Sequence, residues 1–280
     1  MSWVNHNGHI VRVEDLKLEP NNRAFSYGDG FFETIRLIHG QPVHLEDHLD
    51  RMNRSFQFLH LRPPFLTNLQ TIQSLTAELA EANGIREGGR LRITFYRDSG
   101  GFYTPHTDQC SYLAECRNIS SNLFEFNRNG LHLALYTHNL KPVQPLCALK
   151  SLNSLIYVLA GIYARDQRCD DALIMNDYES IIETTCSNLF IVRKGTIITP
   201  GLDEGCIPGV MRKNVLKIIE NRTEFSLERG IIKQNDLIEA DEVFVTNAIR
   251  GIQWVVGFKE KRYYHNLSAR LSELLNEPYL

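Results

Sequence analysis

The spacing of hydrophobic residues predicts alternating stretches of strand and helix along the whole chain. Residues 31–38, 91–97, 131–136, 189–192 and 242–247 are short apolar or alternating runs of the length that strands have. In the 45–59 segment, apolar residues recur every three or four positions, which predicts an amphipathic helix. Similar spacing predicts helices over 66–82, 151–163, 214–220 and 267–275, and Asn7-Gly8 predicts a hairpin near the start.

The order of these elements favours an α+β protein of two domains, because it lacks the regular strand–helix repeat of a doubly wound sheet. Residues 118–130 are polar and carry no periodic pattern, so we expect an interdomain linker there. The predicted domains are then 1–117, an N-terminal α+β domain, and 131–280, a C-terminal domain.

Composition limits the classes of function. Hydrophobic residues make up 43% and charged residues 22% of the chain, and the net charge is −3, which disfavours nucleic-acid and membrane partners. The six cysteines include no Cys-x-x-Cys pair, so reduced thiols in a cytoplasmic protein are expected. No apolar leader or membrane-length run is present. The histidines are scattered, so no metal site is expected, and His44 and His48 are predicted on a helix surface.

A single lysine, Lys150, precedes the apolar run at 151–163. A lysine that forms an imine must be neutral part of the time, so it needs burial or a cationic neighbour that lowers its pKa. Its flanking residues Leu149 and Leu152 are apolar enough to allow burial. An exposed lysine near a helix start is the ordinary alternative, because most lysines are exposed.

Three other features would complement such a lysine. Glu183 interrupts an apolar run and would face either a pocket or, on an edge strand, solvent. Pro208-Gly209 begins a predicted helix whose free amides favour an anion, and Arg51 on the 45–59 helix is either a phosphate clamp or a surface residue. An imine-forming lysine, a carboxylate and a helix start are together what pyridoxal phosphate requires of a protein. Gly28-Asp29-Gly30 precedes a strand, so it does not predict a dinucleotide loop.

Taken together, these blocks resemble the class IV aminotransferases, the pyridoxal-phosphate enzymes of fold type IV. That family includes branched-chain and D-amino-acid aminotransferases and 4-amino-4-deoxychorismate lyase. The similarity covers nearly the whole chain and rests on residues 23–36, 48–52, 150–153, 183–190 and 208–212. It implies a smaller N-terminal α/β domain and a larger C-terminal β-barrel-like domain with helices. It also implies a homodimer with its active sites near the subunit interface.

The resemblance further implies a role for each matched residue. Lys150 would form the imine with the cofactor and then shuttle a proton at the substrate α-carbon, and Glu183 would pair with the pyridine nitrogen. The phosphate would be bound by Arg51, Val210, Met211, Thr246, Asn247 and Ala248. The substrate side would be formed by Tyr27 and Phe32, with Arg92, Arg97 and Arg250 as candidates for the substrate carboxylate.

Substrate choice is less sharply indicated. Lyase members of the family often carry an extra arginine in a glycine-rich loop, and this chain has Phe102 near that place. We therefore expect amino-group transfer between an amino acid and a 2-oxo acid. The alternative is the lyase reaction, which releases pyruvate and 4-aminobenzoate for folate synthesis. A noncatalytic anion-binding or interaction protein on the same fold is a third possibility, against which the presence of both Lys150 and Glu183 argues.

Overall fold

The structure is a computed structural model and describes residues 2–65 and 67–280. The chain divides into two compact units, Met1–Leu123 with Lys150–Asn153 and Phe124–Leu149 with Ser154–Leu280. The division falls at Leu123, inside the predicted linker, and the short segment that carries Lys150 belongs to the first unit. No helix within the described residues is long and apolar enough to cross a membrane.

Over its described residues, the first unit is one antiparallel sheet with three α-helices. Its strands are β1 (Trp3–His6), β2 (His9–Arg12), β3 (Gly30–Ile38), β4 (Gln41–Pro42), β5 (Gly89–Arg97) and β6 (Cys110–Asn118). They lie in the order β2-β1-β6-β5-β3-β4. The helices are α1 (Arg23–Tyr27), α2 (Leu45–Phe58) and α3 (Leu69–Ala82). The predicted hairpin and the 45–59 helix are confirmed, and Leu66, where the second helix was expected to begin, lies outside the described residues.

Alternation along β3 separates the two faces of this sheet. Phe31, Ile35 and Leu37 are fully buried in the core that α2 and α3 complete. The opposite face carries Phe32, Thr34 and, through the register with β5, Arg92. Glu33 lies on the core side and is 1% exposed, so its charge requires buried partners.

Close strand contact explains the Gly28-Asp29-Gly30 sequence. Gly28 ends α1 in the left-handed conformation at φ 62°, which glycine adopts without strain. A Cβ on Gly30 would lie 2.1 Å from the carbonyl oxygen of Phe95, so only glycine lets β3 and β5 approach at this point. These glycines therefore have a structural role.

The second unit is a nine-stranded sheet that closes on itself. Its strands are β7 (Leu131–Lys141), β8 (Asp171–Asn176), β9 (Ile181–Thr184), β10 (Asn188–Arg193), β11 (Thr196–Pro200), β12 (Ser226–Gly230), β13 (Glu242–Asn247), β14 (Gly251–Phe258) and β15 (Lys261–Arg262). The order is β12-β11-β10-β13-β14-β7-β8-β9, and β9 also pairs with β10. The ring from β10 to β9 is a barrel, as expected, and it closes at the pair Asn188 and Glu183.

Four helices surround this barrel: α4 (Leu155–Asp166), α5 (Val210–Glu220), α6 (Gln234–Glu239) and α7 (Asn266–Asn276). The predicted linker 118–130 is held by contacts at both ends. Arg36 donates hydrogen bonds to the carbonyl oxygens of Ser121 and Leu123 in the first unit. In the second unit, Asn127 exchanges hydrogen bonds with the backbone of Trp254.

We expect Gly30→Ala to lower the free energy of unfolding by about 1–3 kcal/mol, because the added methyl group forces β3 away from β5. Urea unfolding of the variant and the wild type measures the difference. Gly161→Ala is the control: Gly161 lies inside α4, and no atom of the described residues would lie within 4 Å of an added Cβ. The variant should therefore be as stable as the wild type or more stable by up to about 1 kcal/mol. An unchanged unfolding midpoint for Gly30→Ala would contradict the close-contact explanation.

Candidate active site

Backbone hydrogen bonds attach Lys150 to the edge of the first unit's sheet. The amide of Phe32 donates to the carbonyl oxygen of Lys150 at 3.0 Å, and the amide of Leu152 donates to that of Gly30 at 3.0 Å. Ser151 forms an isolated antiparallel bridge with Phe31 between these two bonds. The lysine is therefore carried on strand-like backbone, which fixes the origin of its side chain.

Two cations flank the ring of Phe32 in the first unit. Lys150 Nζ lies 4.2 Å and Arg92 Cζ 3.8 Å from the ring centroid. Burial, followed by the neighbouring charge of Arg90, lowers the pKa of Arg92, while Glu115 acts in the opposite direction. Both cations project from the face opposite the core, so this face can receive an anionic group.

Tyr27 and Arg97 have different surroundings. Tyr27, the last residue of α1, is partly exposed, with its ring 5.7 Å from that of Tyr103 and 4.7 Å from Arg23 Cζ. Arg97 is 6% exposed and donates to Asp29 at 3.0 Å and Asp108 at 2.9 Å. Its remaining hydrogen bonds reach the carbonyl oxygens of Leu59, His60 and Thr107. Arg97 therefore ties together the loops around β5.

Arg51 belongs to a buried charge cluster with Glu33 and His48. Its Nε donates to Glu33 Oε1 at 2.6 Å and its Nη2 to Glu33 Oε2 at 2.8 Å. His48 Nδ1 lies 2.8 Å from the same carboxylate. The prediction that His48 lies on the helix surface is wrong: it is 1% exposed, because Glu33 projects from β3 toward α2 and needs a second donor.

The pKa values of Glu33 and His48 are both lowered, which keeps the carboxylate charged and the imidazole neutral. Burial by itself would raise the pKa of Glu33, but the charge and hydrogen bonds of Arg51, with the hydrogen bond from His48, hold it well below its usual range. Burial lowers the pKa of His48 and outweighs the opposing effect of Glu33. The cluster therefore consists of an ionised carboxylate, a guanidinium and a neutral imidazole.

In the second unit, Glu183 accepts three hydrogen bonds. Its Oε1 accepts from Lys141 Nζ at 2.5 Å and from the Tyr157 hydroxyl at 2.9 Å. Its Oε2 accepts from the backbone amide of Ile207 at 2.8 Å. Glu183 is 2% exposed on β9, which pairs with β8 and β10, so it does not lie on an outward-facing edge strand.

Asn188 connects this carboxylate to the start of α5. It pairs with Glu183 on one side and with Thr246 on the other. Its side-chain amide donates to the carbonyl oxygen of Ile207 at 2.8 Å, and a Cβ on Gly209 would lie 1.9 Å from its Oδ1. Gly209 is thus required for the backbone to pass this side chain before the helix begins.

The start of α5 and the turn after β13 provide donors suited to an anion. Val210 and Met211 are buried at the first two positions of α5, where backbone amides have no acceptor within the helix. Thr246 is 1% exposed, and its Oγ1 has no hydrogen-bond partner among the described residues. A buried hydroxyl without a partner is costly unless a ligand completes it.

The rest of that turn is shaped by Asn247. Its Oδ1 accepts from the amides of Ile249 and Arg250, and its Nδ2 donates to Ser187 Oγ at 2.9 Å. The side chain of Asn247 is thereby engaged in holding the turn, with Ala248 at the bend. Arg250 is exposed.

Sequence reasoning missed Lys141, Tyr157, Asn188 and the amide of Ile207. Lys141 is the last residue of a long strand, and Tyr157 lies on a helix that carries a second tyrosine, Tyr163. Neither position interrupts its local pattern as Glu183 does. The one available signal was Asn188 itself, a polar residue that directly precedes the apolar run 189–192.

Comparison with known proteins identifies the family of this chain. The sequence model for amino-transferase class IV matches residues 30–257. The chain is 31% identical to an aminodeoxychorismate lyase of Vibrio harveyi, over 92% of this chain and 91% of that protein. It is 30% identical to a putative branched-chain-amino-acid aminotransferase of Methanocaldococcus jannaschii, over 86% and 82%. It therefore belongs to the amino-transferase class IV family, as the sequence blocks indicated.

The fold is also that of the family. The crystal structure of a branched-chain aminotransferase from Thermoproteus uzoniensis superposes with a TM-score of 0.88 at 23% identity, covering 100% of this chain and 97% of that one. The expected fold type IV architecture is confirmed.

We expect Glu33→Gln to reduce the free energy of unfolding by about 3–5 kcal/mol, because it leaves the Arg51 guanidinium buried without a carboxylate. Urea unfolding near neutral pH measures the loss. Glu14→Gln is the matched control, since its ion pair with Arg12 is exposed and should contribute no more than about 1 kcal/mol. Equal losses in the two variants would contradict a stabilising role for the buried cluster.

The same carboxylate makes stability depend on pH. Because the pKa of Glu33 is lower in the folded protein than in the unfolded chain, its contribution is present above the unfolded pKa and is lost as the pH falls toward the folded one. We therefore expect wild-type stability to fall below about pH 5, and to fall less steeply in Glu33→Gln. Unfolding at a series of acidic pH values measures the two slopes, and identical slopes would rule out this contribution.

Proposed function

We propose that this protein is a pyridoxal-phosphate-dependent aminotransferase that moves an amino group between an amino acid and a 2-oxo acid. The observation that carries the proposal is Glu183, a buried carboxylate held by Lys141, Tyr157 and the amide of Ile207. Such a carboxylate suits the protonated nitrogen of the cofactor's ring. When bound, the cofactor supplies an aldehyde and an electron-withdrawing ring.

The residues of the second unit also fit the cofactor's phosphate. The Thr246 hydroxyl, which has no hydrogen-bond partner in the described part of the chain, is a donor for phosphate oxygens, as are the first amides of α5 at Val210 and Met211. Asn247 shapes the turn that presents Thr246 and Ala248. The guanidinium of Arg51 would add a charge that phosphate favours, with Glu33 holding its orientation.

Lys150 would be the residue that holds the cofactor through its amine, and it would carry a proton to or from the substrate α-carbon. Its backbone attachment to β3 fixes where this amine starts. The ring of Phe32, in contact with Lys150 Nζ, limits the space around the amine and excludes water from one side. Tyr27 would line the substrate side near Phe32.

Among the three arginine candidates for the substrate carboxylate, Arg92 is supported by its place beside Phe32 and Lys150. Arg250 remains a candidate because its side chain is exposed after the Asn247 turn. Arg97 is less suited, because its guanidinium already binds two carboxylates and three carbonyl oxygens. We propose that Arg92 and Arg250, rather than Arg97, bind the substrate.

Aminodeoxychorismate lyase activity is the second candidate. It is favoured by the 31% identity to the Vibrio harveyi protein of that name. In that reaction the same lysine would move protons while pyruvate and 4-aminobenzoate are released. Transfer is preferred because Phe102, near the place of the lyase arginine, is 83% exposed and provides no charge.

The first test is the absorbance spectrum of the purified protein with pyridoxal phosphate. We expect a visible band from the lysine-bound cofactor, absent in Lys150→Ala and retained in Lys194→Ala, a control in an exposed hairpin turn. Adding D-alanine, L-leucine or L-glutamate should discharge the band if the protein is an aminotransferase. Pyruvate release from aminodeoxychorismate, with no discharge by the amino acids, would favour the lyase. No band in the wild type would overturn both candidates.

We also propose that the protein acts as a homodimer in the cytoplasm. Four apolar residues at helical spacing are exposed on α4: Leu155, Val158, Leu159 and Ile162. Such a stripe on a helix of a folded unit is the kind of surface that a second copy covers. All six cysteines are free, which suits a reducing compartment.

Leu155→Glu should weaken self-association by about tenfold or more, since it places a charge in the apolar stripe at its most exposed residue. Sedimentation over a range of protein concentrations measures the monomer–dimer equilibrium. Leu202→Glu is the control, because Leu202 is exposed in the same unit on a short 3-10 helix and does not belong to α4. A Leu155→Glu variant that dimerises like the wild type would exclude the α4 stripe as the interface.

A further inference from the structure

The two carboxylate oxygens of Glu183 accept different numbers of hydrogen bonds. A carboxylate has about four acceptor positions, two on each oxygen. On Oε1 both are used, by Lys141 Nζ and the Tyr157 hydroxyl. On Oε2 the amide of Ile207 uses one. The remaining acceptor position of this carboxylate therefore belongs to Oε2.

The charge on Lys141 is the unusual part of this arrangement. Lys141 is 3% exposed at the end of β7, and an ammonium buried to that extent is tolerated only with a counter-charge. Its hydrogen bond to Glu183 is 2.5 Å long. The neutral donors, Tyr157 and the Ile207 amide, would have been enough to orient the carboxylate. The ammonium adds a charge rather than an orientation.

Two titratable neighbours of Glu183, Tyr157 and Cys206, are neutral. Burial, and then the negative charge of Glu183, raise the pKa of Tyr157 far above its ordinary value, so it remains a phenol and a donor. Burial, followed by Glu183, raises the pKa of Cys206 to about 11. Cys147 lies near Tyr157, and the guanidinium of Arg212 beyond Cys206 donates to the carbonyl oxygen of Pro200.

We propose that Lys141 acts as the resident counter-ion of Glu183 and limits how strongly this carboxylate holds a proton on the cofactor's ring nitrogen. The proposal rests on the proposed function, because it presupposes that Glu183 faces that nitrogen. Lys141 neutralises Glu183 before the cofactor binds. Afterwards it repels the positive charge that protonation places on the ring.

The sign of the effect follows from which interaction is lost on substitution. Removing the ammonium leaves Tyr157 and the Ile207 amide to orient Glu183, so its placement is retained while a nearby positive charge disappears. A positive charge within several ångströms in a partly dry site shifts a pKa by about one unit or more. Lys141→Met should therefore raise the pKa of the ring nitrogen by about one unit or more.

The experiment is nitrogen-15 NMR of the protein loaded with pyridoxal phosphate labelled at the ring nitrogen, recorded over a range of pH. We expect the label to remain protonated to higher pH in Lys141→Met than in the wild type. Lys141→Arg should restore the wild-type titration, because it keeps the charge. Tyr157→Phe is the matched control: it removes a donor to the same oxygen without changing charge, so its shift should be much smaller.

A second measurement covers the unloaded protein. Because Glu183 loses its counter-ion in Lys141→Met, the variant should unfold at a lower temperature than the wild type when no cofactor is bound. Binding of the cofactor should then raise the unfolding temperature of the variant by more than it raises that of the wild type. If Lys141→Met does not fold, Lys141→Gln tests the same loss of charge while retaining a donor.

Each failure points to a different claim. A wild type that binds no cofactor at Lys150 would overturn the proposed function and this inference with it. A wild type that loads, with a ring-nitrogen titration unchanged in the folded Lys141→Met or Lys141→Gln variant, would overturn the inference alone. Equal shifts in Lys141→Met and Tyr157→Phe would show that hydrogen bonding, and not charge, is the cause, and would also overturn it.

Discussion

The charge of Glu183 is the constraint on which the second unit depends. A carboxylate that is 2% exposed must be compensated within the protein, and here the compensation comes from three separate parts of the chain. Lys141 ends β7, Tyr157 lies on α4, and Ile207 precedes α5. Because Glu183 also pairs with Asn188 where the barrel closes, the same residue joins the closure of the fold to the proposed chemistry.

The first unit contains a second buried carboxylate with a different arrangement of charge. Glu33 is bound by the guanidinium of Arg51 and a neutral His48, so the core side of β3 holds a compensated ion pair under the face that carries Lys150. Both carboxylates therefore keep a cation in place. In our proposal, Arg51 binds the cofactor's phosphate, and Lys141 offsets part of the negative charge that Glu183 presents to the cofactor's ring nitrogen.

Local patterns predicted the elements well, because apolar periodicity records which face of a strand or helix is buried. The 45–59 helix and the strands around Glu183 follow this rule directly. The family and its barrel were predictable because the motif blocks lie in the required order. The buried position of His48 was not, because it depends on Glu33, a strand residue fifteen positions earlier whose side chain points toward the same helix.

The sequence by itself determined the secondary-structure elements, the family and the motif blocks that contain Lys150 and Glu183, since short runs of residues are enough to recognise each of these. Only the tertiary structure decided which groups surround them. Lys141 and Glu183 are 42 positions apart, and their contact requires the register of β7, β8 and β9. The carboxylates that bind Arg97, Asp29 and Asp108, were likewise brought to it only by the folded loops. A side chain's partners are set by long-range pairing, which local periodicity does not record.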